Sequence, residues 1–162
     1  MSENSFITDE QISAKVDAVM ERVKALVDKV EQELPPQPSE EDMEVLYNAG
    51  IDSMEQDRFD DALDAFGNLA ALQPGNPRYQ FGFALCLQHF GQIQQAGEYY
   101  SLAYALDPSN AACAFRLGEC LAACGHITDA QEALRTAIQL CALPDADPNV
   151  RTLAEALLDQ LH

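Results

Sequence analysis

The run DDALDAF at residues 60–66 indicates the fold, because related runs follow it at a fixed step along the chain. QQAGEYY occupies residues 94–100 and TDAQEAL occupies residues 128–134, so each begins 34 residues after the one before it. The third position is alanine in all three runs, and the seventh is a large apolar residue: Phe66, Tyr100 and Leu134. Recurrence of residue type at one period indicates a chain built from stacked copies of a single supersecondary unit.

Each recurring position has a structural reason. The alanine lets two helices cross closely, and the apolar residue four positions later lies on the same helix face and fills the space between units. Pro74 and Pro108 end the second helix of a unit, since proline lacks the donor that would continue it. Gly91 and Gly125 permit the tight turn before that helix. The period and these residues match the tetratricopeptide repeat, a helix-turn-helix unit.

The repeat frame predicts an all-α fold with three tetratricopeptide repeats, at residues 43–76, 77–110 and 111–144. Residues 148–161 then carry apolar side chains at a spacing of three to four, which predicts a last helix that caps the open end of the solenoid. Residues 39–162 are therefore expected to form one repeat domain. The motif also implies a right-handed array whose first helices line a concave groove.

Residues 9–34 have a different pattern. Their apolar side chains recur at alternating steps of four and three, at Ile12, Val16, Val19, Val23, Leu26 and Val30. Such a seam is typical of coiled-coil contacts. Prolines at positions 35, 36 and 38 end this helix and form a stiff spacer, so we predict an N-terminal helix and linker over residues 1–38. The seam packs either on the chain's own repeats or on a second copy, and the sequence leaves both interpretations open.

The charge balance excludes several classes of partner. The chain has 27 acidic and 9 basic residues, a net charge of −18, and such a surface repels nucleic acid and anionic membranes. The N-terminus lacks a basic region followed by an apolar stretch, and no run of about 18 apolar residues occurs, so we expect neither a secretory signal nor a membrane span. The five cysteines are then expected to be reduced thiols in a cytosolic protein.

No residue pattern indicates catalysis. The three histidines are isolated and no glycine-rich phosphate loop is present, so we expect neither enzyme activity nor a cofactor. Cys113, Cys120 and Cys124 share a helix face, but a fourth metal ligand is missing and their neighbours are small and apolar. We therefore interpret these cysteines as packing residues rather than as a metal site.

A second row of apolar residues follows the repeat period. Tyr47, Phe81 and Phe115 stand 34 residues apart in the first helix of each repeat, on a face that the Phe66, Tyr100 and Leu134 row does not use. Ile51 and Leu85 lie one turn further along the first two of these helices. This row is either inter-helix packing or an apolar binding groove, and the separate core row favours the groove.

Several runs resemble the class II chaperones of type III secretion translocators. They are LYNA at 46–49, RFDDA at 58–62, PRYQFG at 77–82, CLQ at 86–88 and FRLGEC at 115–120. The resemblance spans roughly residues 40–142. It implies a bacterial cytoplasmic chaperone that binds two membrane-active translocators before export. It also implies that the concave face holds an extended N-terminal segment of the cargo by apolar and proline anchors.

The same resemblance assigns the groove to five residues: Tyr47, Ile51, Phe81, Leu85 and Phe115. It implies a homodimer through residues 9–34, and a transcriptional activator as a further partner. Two other classes of protein share the repeat. A clamp for a C-terminal carboxylate needs lysines and arginines on the first helices, and the repeats contain no lysine. A tetratricopeptide scaffold or adaptor in another multiprotein complex stays open as the alternative.

Overall fold

A computed structural model describes residues 8–33 and 36–162. These residues form eight α-helices and no β-strand. The helices are α1 (Asp9–Glu33), α2 (Glu40–Glu55), α3 (Phe59–Leu72), α4 (Pro77–His89), α5 (Ile93–Leu106), α6 (Ala111–Ala123), α7 (Ile127–Leu140) and α8 (Pro148–Gln160). The chain divides into two compact units, Met1–Pro38 and Ser39–His162, and α1 belongs to the first of them.

The second unit is a stack of helix pairs. Helix α2 packs on α3, α4 on α5 and α6 on α7, while α3–α4 and α5–α6 contacts join one pair to the next. Helix α8 closes the stack by packing on α7 and α6. The all-α tetratricopeptide-repeat fold predicted from the 34-residue period is confirmed, with the last helix where the apolar spacing placed it.

Side-chain caps fix the start of the first helix in each repeat. Ser39 and Asp42 form a capping box on α2: Ser39 Oγ accepts from the Asp42 amide at 3.1 Å, and Asp42 accepts from the Ser39 amide at 3.1 Å. The Ser39 hydroxyl also donates to Asp42 Oδ2 at 2.7 Å, and this hydrogen bond, together with the one from the Ser39 amide, lowers the pKa of the Asp42 carboxyl. Asn76 caps α4 by accepting from the Arg78 amide, and Asn110 caps α6 by accepting from the Cys113 amide. Such caps satisfy amides that have no partner within the helix.

The turn inside each repeat requires a left-handed residue. Gly91 has a φ of 76° and Gly125 a φ of 82°, as the tight turn before the second helix demands. Asp57 stands at the equivalent position of the first repeat and has a φ of 57°. Aspartate tolerates this conformation better than most residues with a Cβ atom, so the turn geometry is kept without glycine.

The buried row lies between neighbouring helix pairs. Phe66, Tyr100 and Leu134 are fully buried, and so are Ala62, Ala96 and Ala130 on the same helices. Phe66 lies directly against the backbone of two helices: a Cβ atom on Gly82 of α4 would stand 2.4 Å from its ring, and one on Gly50 of α2 would stand 2.9 Å from it. Glycine at these positions lets one aromatic ring fill the space between the first two repeats.

Candidate functional site

Four of the five predicted groove residues line one face of α2 and α4, which we call the A-face: Tyr47, Ile51, Phe81 and Leu85. Each is partly buried, because it packs on the core and keeps part of its surface exposed. Ile51 packs on the cluster around Phe66, whereas Phe81 and Leu85 pack on the cluster around Tyr100. The A-face is therefore an apolar surface held in place by the core beneath it.

Tyr47 packs closely against neighbouring side chains. Its ring meets Phe66 edge-on at a centroid distance of 5.7 Å, and the guanidinium of Arg78 lies 4.0 Å from its centroid. Both terminal nitrogens of Arg78 donate to the carboxylate of Glu44, at 3.2 and 3.1 Å. That pair raises the pKa of Arg78 and holds the guanidinium over the ring. The first end of the A-face is thus partly covered by a fixed arginine.

Phe115 has a different environment from Tyr47 and Phe81. It is only 5% exposed and packs with Leu134 of α7 and with Val150 and Ala154 of α8. Helix α8 contacts α6 directly, and it covers the position that is partly open in the first two repeats. From the sequence, the row of Tyr47, Phe81 and Phe115 could either pack between helices or line a binding groove. The structure gives Phe115 a packing position.

A polar network replaces the apolar surface where α4 meets α6. The Tyr100 hydroxyl donates to Gln88 Oε1 at 2.8 Å, and Gln88 Nε2 donates to Glu119 Oε2 at 3.3 Å. Arg116 Nη1 also donates to Glu119 Oε2, at 2.9 Å. Burial raises the pKa of Tyr100, so its hydroxyl stays protonated as a donor.

The residue pattern carries a signal for this network, although it was not predicted from the sequence. Glu119 occupies the position that Ile51 and Leu85 hold in the first two repeats, and Gln88 occupies the position of Met54. Polar residues therefore interrupt the apolar row at two adjoining positions. That interruption marks the point where the surface changes its chemistry.

Three of the five cysteines are packing residues. Cys86, Cys113 and Cys120 are buried, and burial raises their pKa values to about 11, 12 and 11. Cys113 Sγ donates to the Tyr100 carbonyl at 3.2 Å. Thiols with such pKa values stay protonated at neutral pH and are poor nucleophiles. Cys124 is exposed, and the part of the chain that the structure describes contains no group of three or more histidine, cysteine or acidic side chains suited to a metal.

No helix among the described residues combines the length and the apolar character needed to cross a membrane.

Comparison with known proteins places the repeats in a family. Two tetratricopeptide-repeat family models match the chain, at residues 47–111 and 87–161. A curated relative, the low calcium response locus protein H of Yersinia pestis, is 25% identical over 123 residues, which cover 76% of this chain and 73% of that protein.

Solved structures agree with the sequence matches. The translocator chaperone SycD of Yersinia enterocolitica superposes with a TM-score of 0.72 at 25% identity, covering 77% of this chain and 86% of its own. PcrH, known from Pseudomonas aeruginosa, superposes with a TM-score of 0.73 at 27% identity, covering 79% of this chain and 96% of its own. This chain is a tetratricopeptide-repeat protein, and the structures it resembles include type III secretion translocator chaperones.

Proposed function

We propose that this protein is a chaperone that binds type III secretion translocators in the bacterial cytoplasm before export. Its A-face would hold an extended segment of the cargo in the concave groove. By doing so it would prevent premature aggregation or membrane insertion. The observation that carries the proposal is a row of four partly exposed apolar side chains on the first helices of the repeats: Tyr47, Ile51, Phe81 and Leu85.

Structures of similar chaperones support this assignment. PcrH has been solved with the chaperone binding regions of PopD and PopB, and SycD with a peptide of the translocator YopD. The fold of this chain presents its partly exposed apolar row on the first helices of the first two repeats. Phe115 does not belong to the proposed contact surface, because it is 5% exposed; its proposed role is to hold α6 against α8.

The energetics of such a surface suit reversible holding. Burying one apolar anchor against the A-face contributes about 1.5–3 kcal/mol. Several anchors together offset the cost of ordering an extended segment, which is about 0.5–1.5 kcal/mol for each immobilised side chain. The surplus is modest, so the cargo can be protected and then released. A role of this kind needs no catalytic group, and we propose that the protein is not an enzyme.

Co-expression tests the proposal. The protein and a translocator from the same organism are produced together, with an affinity tag on the chaperone only. We expect the translocator to stay soluble and to co-purify, and to aggregate when the chaperone is absent. A translocator that stays insoluble in the presence of this chain would contradict the proposal and favour the alternative, a tetratricopeptide scaffold in another complex.

We also propose that residues 9–34 mediate a homodimer. The seam of α1 is exposed, with Val16 at 53%, Val23 at 46% and Leu26 at 62%. The seam alternates between two heptad positions. One of them holds Val16, Val23 and Val30, and the other holds Ile12, Val19 and Leu26. Apolar residues at both alternating positions of a heptad let helices pack on each other along their length as a coiled coil. SycD has been solved as a dimer of more than one form, which is compatible with this assignment.

Charged substitutions on opposite sides of α1 distinguish the seam from the rest of the helix. Val16→Asp with Val23→Asp introduces carboxylates into the seam, and we expect light scattering to report a monomer. Ala14→Asp with Ala25→Asp changes the opposite side of the same helix and should leave the dimer intact. A full-length protein that is monomeric at high concentration would refute the homodimer. A seam variant that stays dimeric would show that the dimer interface lies outside the seam.

A further inference from the structure

The row of apolar residues that continues from the A-face changes its chemistry at the third repeat. The equivalent positions on the first helices hold Ile51, Leu85 and then Glu119. Glu119 is not a fully solvated surface residue, since its side chain is 28% exposed and takes part in the polar network with Gln88 and Arg116. A carboxylate therefore lies at the end of an otherwise apolar row.

The network fixes the orientation of this carboxylate. Both of its hydrogen bonds, from Arg116 and from Gln88, end on Oε2. Gln88 is itself held by the hydroxyl of the fully buried Tyr100. None of the described residues donates a hydrogen bond to Oε1 of Glu119. One oxygen of the carboxylate thus stays available while the other is held by two donors.

The local charge decides which kind of donor fits Oε1. Arg116 Nη1 lies 2.9 Å from Glu119 Oε2, so a positive charge already stands beside this carboxylate. A lysine or arginine of a ligand would gain little additional attraction and would be repelled by Arg116. A neutral N–H group suffers no such repulsion and still gains a hydrogen bond to an ionised acceptor. An extended peptide offers unpaired main-chain N–H groups along its length, because its own backbone forms no internal hydrogen bonds.

We propose that Oε1 of Glu119 accepts a hydrogen bond from a main-chain N–H of the bound translocator segment. This contact sets the register of the segment, because the anchor seated on Leu85 must then precede or follow that N–H by a fixed number of residues. The inference rests on the proposed function and names the group of the cargo that the third repeat recognises. Glu119 is a specificity residue, whereas Gln88 and Arg116 position it.

A hydrogen bond to a charged group corresponds to a change of about tenfold to a hundredfold in affinity. We therefore expect Glu119→Leu to weaken binding by that factor. Glu119→Gln, which keeps one carbonyl oxygen and the size of the side chain, should weaken binding less. Glu98→Leu on α5 is the matched control, since Glu98 is exposed and makes no ion pair or hydrogen bond with the described residues. That control should leave affinity unchanged.

Methylation of single amides in the ligand locates the contact. The probe is a synthetic peptide of the segment that the co-purified translocator contributes, made once unmodified and then with one N-methyl group at each position in turn. Titration calorimetry gives the affinity of every peptide for the wild-type chain and for Glu119→Leu. We expect one methylated position to lose about tenfold or more in affinity with the wild type and almost nothing with Glu119→Leu. Circular dichroism of the variant controls for folding.

The other outcomes separate the two claims. If every methylated peptide loses the same factor with both proteins, Glu119 contacts no main-chain N–H, and the inference is refuted while the proposed function stands. If the coupling appears instead when a lysine or arginine of the peptide is replaced by alanine, Oε1 binds a cationic side chain and the inference is also refuted. A wild-type chain that binds no translocator segment would overturn the proposed function itself.

Discussion

Leu85→Asp is expected to weaken binding of the translocator segment by about a hundredfold or more. The substitution removes an apolar anchor that contributes about 1.5–3 kcal/mol and places a carboxylate where the cargo would have to desolvate it. Leu85 belongs to the A-face, one helical turn after Phe81 and one repeat after Ile51. Fluorescence anisotropy with a labelled segment measures the change in dissociation constant.

Leu102→Asp is the matched control for this substitution. Leu102 is 40% exposed on α5, so the variant introduces the same charge away from the A-face. We expect it to bind with nearly wild-type affinity, and both variants should keep their helical content. Equal affinity of Leu85→Asp and the wild type would show that the cargo uses another surface. Loss of helical content in Leu85→Asp would instead show that Leu85 acts mainly as a core residue.

Gly82→Ala is expected to cause the largest loss of stability from a single added methyl group. The new Cβ atom would stand 2.4 Å from Cδ1 and 2.5 Å from Cε1 of Phe66, closer than carbon atoms approach in folded proteins. Phe66 is fully buried, and Gly50 closes its other side, so the ring cannot move away freely. Overpacking of this kind costs about 1–3 kcal/mol, which exceeds the gain in helix propensity from glycine to alanine.

Thermal unfolding followed by circular dichroism measures this effect, with Gly97→Ala as its control. Gly97 also lies within a helix, but a Cβ atom there would approach only Cys120 Cβ, at 3.4 Å, which is an ordinary contact. That variant should be as stable as the wild type or more stable, by up to about 1 kcal/mol, because alanine favours the helix. If Gly82→Ala unfolds at the wild-type temperature, the packing of Phe66 between the first two repeats is wrong.

The fold was predictable from the sequence because the same structural requirement selects the same residue type in each of the three repeats. Ala62, Ala96 and Ala130 recur at one step, and all three are fully buried at helix crossings. The requirement at the turn is a backbone conformation rather than a residue type. For that reason Asp57 can adopt the left-handed conformation in the first repeat. Only the glycines of the other two repeats predicted that conformation from the sequence.

The candidate site was only partly predictable, because a repeat period describes positions within a unit and not what lies beside the unit. Tyr47, Phe81 and Phe115 are equivalent in sequence, but α8 follows only the third repeat and covers Phe115 there. The polar network depends on contacts between Gln88 and Glu119, which are 31 residues apart and lie in different repeats. The 34-residue spacing of the repeats does not show which side chains of neighbouring repeats form such a hydrogen bond.

Site-specific crosslinking within the co-expressed complex reveals which surface of the chaperone contacts the translocator. A photoreactive amino acid is placed at position 51 on α2, or at position 102 on α5 as the reference, and the complex is irradiated before denaturing electrophoresis. If the A-face holds the extended segment of the translocator, position 51 crosslinks to it and position 102 does not. A translocator that crosslinks from position 102 and not from position 51 would contradict the account and place the cargo on the second helices of the repeats.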